Sequence, residues 1–290
     1  MRRAPRGAPV VLFAALAAAV AHADRPAQPQ DGPAPALWEL GIAGAVGTVA
    51  DYPASDRYRV RALPFPYFVY RGRVFRSDES GARVRASWRQ NWELEVSGSA
   101  SFATHSSGSG PRAGMPDLDY LLELGPKLKY RFAQPEPTAA WFLELPLRAV
   151  ISTNGHSRLD YRGLTFSPDL GARQHGLFGT RWNGYFDLGP EFASGRFQDY
   201  FYQVDPIYAR PGRPAYDAHG GYFGARLELG VNRPIARGVH VFFYSRLEDY
   251  HGAANTGSPL FQTHFGYTGF VGLSWSFLRS REAAAVPEAP

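Results

Sequence analysis

The chain has 290 residues, with 31 glycines, 24 prolines and no cysteine; 44% of its residues are hydrophobic and 14% are aromatic. The absence of cysteine excludes disulfide frameworks, cysteine-ligated metal sites and thiol nucleophiles, and the aromatic content argues against disorder. The net charge of +5 includes Arg2, Arg3 and Arg6. Without these three, 28 basic residues (31 minus 3) face 26 acidic ones, a balance too even for a nucleic-acid binder.

Residues 1–23 have the features of a secretory signal peptide. A basic start precedes an apolar run from Pro9 to Ala21 that is too short to span a bilayer, and Ala21-His22-Ala23 matches the cleavage pattern. We expect the mature chain to begin at Asp24, and residues 24–36, rich in proline and alanine, to form a disordered leader. No later uncharged apolar stretch is long enough for a transmembrane helix.

After the leader, apolar and polar side chains alternate with a period of two, which predicts β-strands. The clearest segments are 91–102, 119–132 and 264–277, where one face carries apolar and aromatic residues and the other carries charged residues, serine or glycine. Weaker alternation occupies the segments 37–49, 58–70, 73–87, 141–153, 158–174, 182–193, 221–232 and 239–250.

These segments predict an all-β fold: a transmembrane antiparallel up-and-down β-barrel over residues 37–278, followed by a C-terminal tail at 279–290. Their lengths reach the ~9 to 11 residues that cross a bilayer at a tilt. Aromatic residues such as Trp92 and Phe102 end the apolar faces, as expected at membrane interfaces. The polar faces carry both signs of charge, which a wet interior tolerates and a dry sandwich core does not. The alternative is a soluble periplasmic β-protein.

The alternating segments can be divided into strands in two ways. Eleven segments alternate, and bacterial single-chain barrels have even strand numbers, so we expect about 12 strands. One solution adds a strand at Phe197–Val204. The other divides 73–87 into a hairpin that turns at Asp78-Glu79-Ser80-Gly81, which places every long connection at one end of the barrel. The sequence leaves both solutions open.

Several sequence blocks resemble those of the MipA/OmpV family, the MltA-interacting proteins. The blocks are Asp51 to Asp56, Leu63 to Gly72, Glu123 to Pro126 with Tyr130-Arg131, Pro214 to Ala218 with Gly220 to Tyr222, and Gly252 to Ala254 with Ser258 to Leu260. The resemblance implies a β-barrel in the outer membrane of a Gram-negative cell. It also implies a scaffold in peptidoglycan biosynthesis that joins a periplasmic lytic transglycosylase to a bifunctional penicillin-binding protein. The chain departs from outer-membrane barrels by continuing for thirteen residues after Phe277.

The sequence predicts no catalytic, cofactor-binding or metal-binding residue, and therefore no enzyme. There is no G-x-S-x-G motif, and the histidines lack the spacing of a metal site. Gly41, Gly44 and Gly47 fit a curved barrel wall better than a phosphate-binding loop. The expected partners are outer-membrane lipid and the two peptidoglycan enzymes, without nucleic acid.

Charged residues on the faces opposite the apolar ones are predicted to line the lumen. These are Glu93, Glu95, Glu123, Lys127, Lys129, Arg131, Glu144, Arg148, Asp187, Glu191, Arg226, Glu228, Arg246 and Glu248. They either line a narrow pore for small solutes or form a salt-bridge lattice that fills the barrel. Both interpretations stay open at this point.

Two short turns are basic, one with Arg71 and Arg73 and the other with Arg233 and Arg237. Several exposed guanidinium donors suit docking to an acidic patch of a periplasmic enzyme. The alternative for each arginine is anchoring at the inner leaflet of the membrane.

Overall fold

The computed structural model describes residues 36–71, 75–78, 81–84, 86–89, 91–106, 110–136, 138–156 and 158–282. The predicted signal peptide, nearly all of the predicted leader and residues 283–290 of the predicted tail lie outside these ranges.

The described residues form strand segments of 4 to 17 residues and one short α-helix. The strands are β1 (Trp38–Ala50), β2 (Tyr58–Arg71), β3 (Phe75–Asp78), β4 (Gly81–Val84), β5 (Ala86–Arg89), β6 (Trp92–Ser101), β7 (Tyr120–Glu136), β8 (Ala139–Thr153), β9 (Leu159–Phe166), β10 (Asp169–Gln174), β11 (Asn183–Ala193), β12 (Gly221–Ala236), β13 (Val239–Asp249) and β14 (Phe265–Arg279). The helix α1 (Gly195–Tyr202) lies between β11 and β12.

The strands form one antiparallel sheet in which neighbours along the chain are neighbours in space. Its hydrogen-bonded order is β4-β3-β2-β1-β14-β13-β12-β11-β10-β8-β7-β6-β5, and β9 pairs with β8 and β11. The last strand therefore pairs with the first, and only residue 85 separates β4 from β5 in the chain. If β4 with β5 and β9 with β10 are each counted as one interrupted strand, the described residues give twelve strands. The predicted antiparallel barrel fold is confirmed.

The structure decides between the two strand solutions. The hairpin forms between β3 and β4, with Asp78 paired to Gly81. The alternative strand at Phe197–Val204 is wrong, because α1 covers most of that segment. Phe197 and Phe201 are four residues apart and both buried, which is helical periodicity.

The predicted strand over 158–174 is divided into β9 and β10. The break falls at Ser167-Pro168. Proline has no backbone N–H to donate to the ladder, so pairing is interrupted there. Pairing with β8 resumes at Asp169, opposite Glu144.

The apolar side chains of the sheet face outward and many polar ones face inward, the reverse of the arrangement in a soluble protein. On β14, Leu273 is 52% exposed and the adjacent Ser274 is 2% exposed; on β7, Leu124 is 61% exposed and Lys127 is 8% exposed. Apolar residues therefore cover the outer face and polar residues the inner one, as a lipid-facing wall requires. None of the described helices is long and apolar enough to span a membrane.

The two ends of the barrel differ. The connections 51–57, 102–119, 194–220 and 250–264 lie at one end, which we call the loop end. Shorter connections, such as Arg237-Gly238 between β12 and β13, lie at the other, which we call the turn end.

Candidate functional site

One side of the barrel interior is a network of buried ion pairs, which we call the ionic wall; it is built from the charged inner-face residues of β6 to β13. Lys127 Nζ lies 3.0 Å from Glu95 Oε2 and 3.0 Å from Glu144 Oε2. Lys129 Nζ and Arg173 Nη2 also approach Glu144 Oε1, at 3.2 and 3.5 Å. Three cations thus share the Glu144 carboxylate. Their attraction to it offsets the free-energy cost of removing these charges from water.

A second cluster of the ionic wall is centred on Arg226. Its Nη2 lies 2.7 Å from Asp169 Oδ2 and its Nη1 3.0 Å from Glu191 Oε2. Arg246 extends the cluster, with Nη2 3.3 Å from Glu191 and Nε 3.2 Å from Glu248. These cross-strand pairs connect β10, β11, β12 and β13.

All fourteen predicted lumen residues take part in ion pairs. The pairs not yet described are Glu93 with Arg131 (3.4 Å), Glu123 with Arg148 (3.8 Å), Asp187 with Arg173 (2.8 Å), and Glu228 with Arg226 (3.5 Å) and Arg246 (3.7 Å). Sequence reasoning missed Arg173 and Asp169. Their positions in the 158–174 alternation were the available signal, but the strand break obscured which face they occupy.

The opposite side of the interior carries a cluster of aromatic and small apolar side chains, which we call the aromatic wall. Its residues come from β1, β2, β13 and β14, and polar side chains such as Ser274 and Ser276 lie on the same inner face. Its buried cluster contains Ala43, Ala45, Phe65, Phe242 and Phe270. Three of the rings each lie against a glycine of a neighbouring strand: Tyr67 on Gly41, Phe270 on Gly47 and Phe242 on Gly272. The glycines therefore provide the space that the inward-pointing rings occupy.

The connections at the loop end fold together into a cap with its own apolar core. Phe197, Phe201 and Tyr202 of α1 pack with Tyr52 of the first connection and Leu260 of the last. Tyr202 and Leu260 are 1% and 0% exposed. A core that draws on several separate connections ties them into one folded unit over the barrel mouth.

Buried polar groups fix the cap. Arg112 Nη1 donates to the Phe201 carbonyl at 2.9 Å, and Arg213 Nη1 donates to the Pro111 and Ala113 carbonyls at 2.8 and 2.9 Å. The Tyr52 hydroxyl donates to the Leu260 carbonyl at 2.8 Å. Burial raises the pKa of Tyr52 to about 12, so this hydroxyl is neutral at physiological pH and able to donate.

The start of the connection after β6 reaches into the barrel. Phe102 packs against the aromatic wall, with its ring 6.4 Å from that of Phe270. Arg61 lies over the Phe102 ring at 5.4 Å and donates from Nη2 to the Ala103 carbonyl at 3.1 Å. The cap is therefore continuous with the packed interior.

Of the four predicted docking arginines, the structure describes two side chains. Arg233 and Arg237 are exposed at the turn end, and the Arg233 guanidinium lies 5.8 Å from the centre of the Trp182 ring. Arg71 is described only as the last residue of β2, and Arg73 lies outside the described residues.

Two of the described histidines lie close together at the loop end. His251 Nδ1 lies 2.6 Å from Asp249 Oδ1, and the centre of its ring lies 4.6 Å from that of His264; both histidines are exposed. Within the described ranges, no group of three or more His, Cys, Asp or Glu side chains is arranged to hold a metal ion.

The apolar outer wall, the charged inner face and the antiparallel barrel define an outer-membrane β-barrel protein. The chain belongs to the family of the MltA-interacting protein MipA, whose model matches residues 40–277. This match confirms the family resemblance of the sequence blocks. None of the curated proteins compared with the chain matches it.

Several solved structures of outer-membrane channels are similar to the chain at low identity. The COG4313 outer membrane channel from Pseudomonas putida F1 is 11% identical with a TM-score of 0.45, covering 87% of this chain and 100% of the channel. The CymD monoaromatic hydrocarbon channel is 10% identical with a TM-score of 0.36, covering 84% and 89%. The DcaP channel of Acinetobacter baumannii is 10% identical with a TM-score of 0.30, covering 83% and 95%.

Proposed function

We propose that the protein is a non-enzymatic outer-membrane scaffold that docks periplasmic peptidoglycan-remodelling enzymes. The family name, MltA-interacting protein, supports a lytic transglycosylase as one partner. The second partner, a bifunctional penicillin-binding protein, follows from what the family resemblance implies. In this proposal the activity lies on exposed surfaces and requires no catalytic residue.

The pairing of the inner-face charges is the observation that favours a scaffold over a pore. All fourteen proposed lumen residues have a partner of opposite sign within 4 Å, as Lys127 has in Glu95 and Glu144. Side chains held in such a lattice stiffen the barrel and fill space that a solute needs. The cap adds a second obstruction at the loop end.

The proposed docking surface is the basic part of the turn end, which we assign to the periplasmic side. It comprises Arg71, Arg73, Arg233 and Arg237. The exposed positions of Arg233 and Arg237 leave them accessible to a partner, and guanidinium groups pair well with carboxylates on an acidic protein surface. Complementary charge at such a rim mainly accelerates association and orients the partner.

The test is capture of a purified lytic transglycosylase by the solubilised barrel. Changing Arg71, Arg73, Arg233 and Arg237 together to Ser should weaken capture while the barrel still folds. A matched variant, Arg158→Ser with Arg210→Ser, removes exposed arginines from the loop end and should capture normally. Undiminished capture by the fourfold variant contradicts the docking surface. A wild-type barrel that captures no enzyme and conducts solutes contradicts the scaffold.

We also propose that export uses residues 1–23 as a cleaved signal peptide. The apolar run is too short to anchor the chain, and cleavage after Ala23 follows from its A-x-A pattern. N-terminal sequencing of the protein from outer membranes should give Asp24 as the first residue. An intact Met1 in that fraction contradicts the proposal.

A further inference from the structure

From the outer wall near the turn end, we propose that the protein carries a binding site for one anionic glycerophospholipid. The site combines a cationic headgroup position at Arg233 with an apolar groove deeper in the lipid-facing wall. It goes beyond the scaffold function, because it needs neither an enzyme partner nor an open lumen.

The groove crosses β12, β13, β14 and β1 on the lipid-facing side. Its volume is about 520 Å³, within the ~300–1,000 Å³ typical of small-molecule sites. Val231, Phe243 and Val271 form one row of its lining, in register across three strands. Phe243 and Val271 are 44% and 41% exposed, which places the row on the outer face.

The groove lies where two neighbouring outer-face residues have small side chains. The next row towards the loop end pairs Leu229 with Ser245 and Ser245 with Gly269. Ser245 and Gly269 are too small to cover the backbone beside Phe243, so a depression remains among large neighbours. Its lining is apolar apart from the Ser245 hydroxyl, and a hydrocarbon chain is the matching occupant.

Arg233 lies two residues from Val231 along β12, towards the turn end. Side chains two apart on a strand share a face and are about 7 Å apart, so Arg233 is on the same outer face as the groove. Its guanidinium lies 5.8 Å from the Trp182 ring centre, and the Trp182 ring is 5.9 Å from that of Phe243. Arg233, Trp182 and the groove therefore form one continuous surface. A lipid can place its phosphate headgroup at Arg233 and its acyl chain in the groove.

A strained turn that packs on β11 adds an exposed aromatic side chain at the turn end. In the turn between β10 and β11, Leu177 covers Gly184, the partner of Val231 in the ladder. Phe178, the next residue, is 96% exposed and has a left-handed φ of 54°. Bulky residues rarely adopt that conformation without a functional reason, and an exposed ring at a membrane interface inserts among lipid chains.

The experiment titrates the purified barrel in detergent with phosphatidylglycerol, or with phosphatidylcholine of the same chains, and counts bound lipid by native mass spectrometry. Wild type should bind one phosphatidylglycerol in preference to phosphatidylcholine. Arg233→Ser should weaken phosphatidylglycerol binding about fivefold, the effect of one arginine at an anionic surface. Gly269→Leu, which fills the groove, should weaken binding of both lipids.

Matched controls separate the site from the general lipid face. Ala149 faces outward on β8 between Leu124 and Leu164, on strands that do not line the groove, so Ala149→Leu should bind lipid as wild type does. Arg210→Ser at the loop end should do likewise. Circular dichroism checks that every variant folds. Equal affinity for the two lipids, or wild-type binding by folded Arg233→Ser or Gly269→Leu, overturns the site. Arg233 also belongs to the proposed docking surface, so Gly269→Leu separates the two proposals: it should lose lipid but still capture the transglycosylase.

Discussion

The two sides of the barrel interior fill similar space by opposite chemistry. The ionic wall uses long charged side chains that neutralise one another, as Arg226 does with Asp169 and Glu191. The aromatic wall uses rings set on glycine, as Phe270 is on Gly47. The ionic wall depends on every partner being present, because a buried charge without its counter-ion is costly. The aromatic wall depends on shape alone.

The largest expected effect is removal of a central cation from the ionic wall. Arg226→Met leaves Asp169 and Glu191 buried beside one another with less compensation, and should destabilise the barrel by about 3–5 kcal/mol. Urea unfolding in lipid vesicles measures this. Adding Asp169→Asn should recover part of the loss, because Asp169 loses its cation whereas Glu191 keeps Arg246. A loss below 1 kcal/mol would mean that water solvates the lattice.

The next largest effect is the difference between substitutions on the outer and inner faces of one strand. Leu124 and Glu123 are adjacent on β7 and point to opposite faces. Leu124→Arg should cost about 2–4 kcal/mol, because it places a charge in the lipid-facing wall. Glu123→Gln should cost much less, because its nearest cation, Arg148, is 3.8 Å away. Equal costs in folding titrations into vesicles would mean that the faces are misassigned.

On the aromatic wall, a single methyl group should have a measurable effect. A Cβ at Gly47 meets the Gly269 carbonyl and the Phe270 ring, whereas a Cβ at Gly44 has no atom within 4 Å. Gly47→Ala should therefore destabilise by about 1–3 kcal/mol through overpacking, and Gly44→Ala should have little effect. The same unfolding assay compares them, and equal stabilities would contradict ring-on-glycine packing.

The smallest effect concerns the cap. Burial raises the pKa of Tyr52 and of Tyr200 to about 12, from an ordinary value of 10.0. A raised pKa favours the neutral phenol, so the stabilisation is complete below pH 10 and is lost as the pH rises towards 12. Tyrosinate absorbance should show these groups titrating late, together with increasing protease cleavage of the loop end. Titration of every tyrosine near pH 10 would contradict the packed cap.

The sequence predicts most of the barrel because each transmembrane strand carries its own signal. Side chains alternate between lipid and interior with a period of two, and β6 and β14 fall within two residues of their predicted bounds. The same alternation selects fourteen charged residues, each of which is found in an ion pair, although it misses Arg173 and Asp169. No distant contact is needed to assign either feature.

The remaining features depend on contacts that the sequence does not display. Helix α1 is stabilised by contacts with Tyr52 and Leu260, which lie in distant connections. Its short apolar pattern alone does not distinguish a helix from a strand. The pairing of Arg173 with Asp187 depends on a register set across the break at Pro168. The lipid groove requires Ser245 and Gly269 to lie side by side, which only the register of β13 with β14 establishes.

Conductance in planar bilayers tests the central claim, that the paired interior and the cap close the barrel and leave its function to its surfaces. Purified wild-type protein inserted in a bilayer should show no steady ion current. A variant lacking both anchors of the cap, Arg112→Ser with Arg213→Ser, should still conduct little, because the ionic wall and Phe102 remain. A steady ohmic current through wild type would contradict the account.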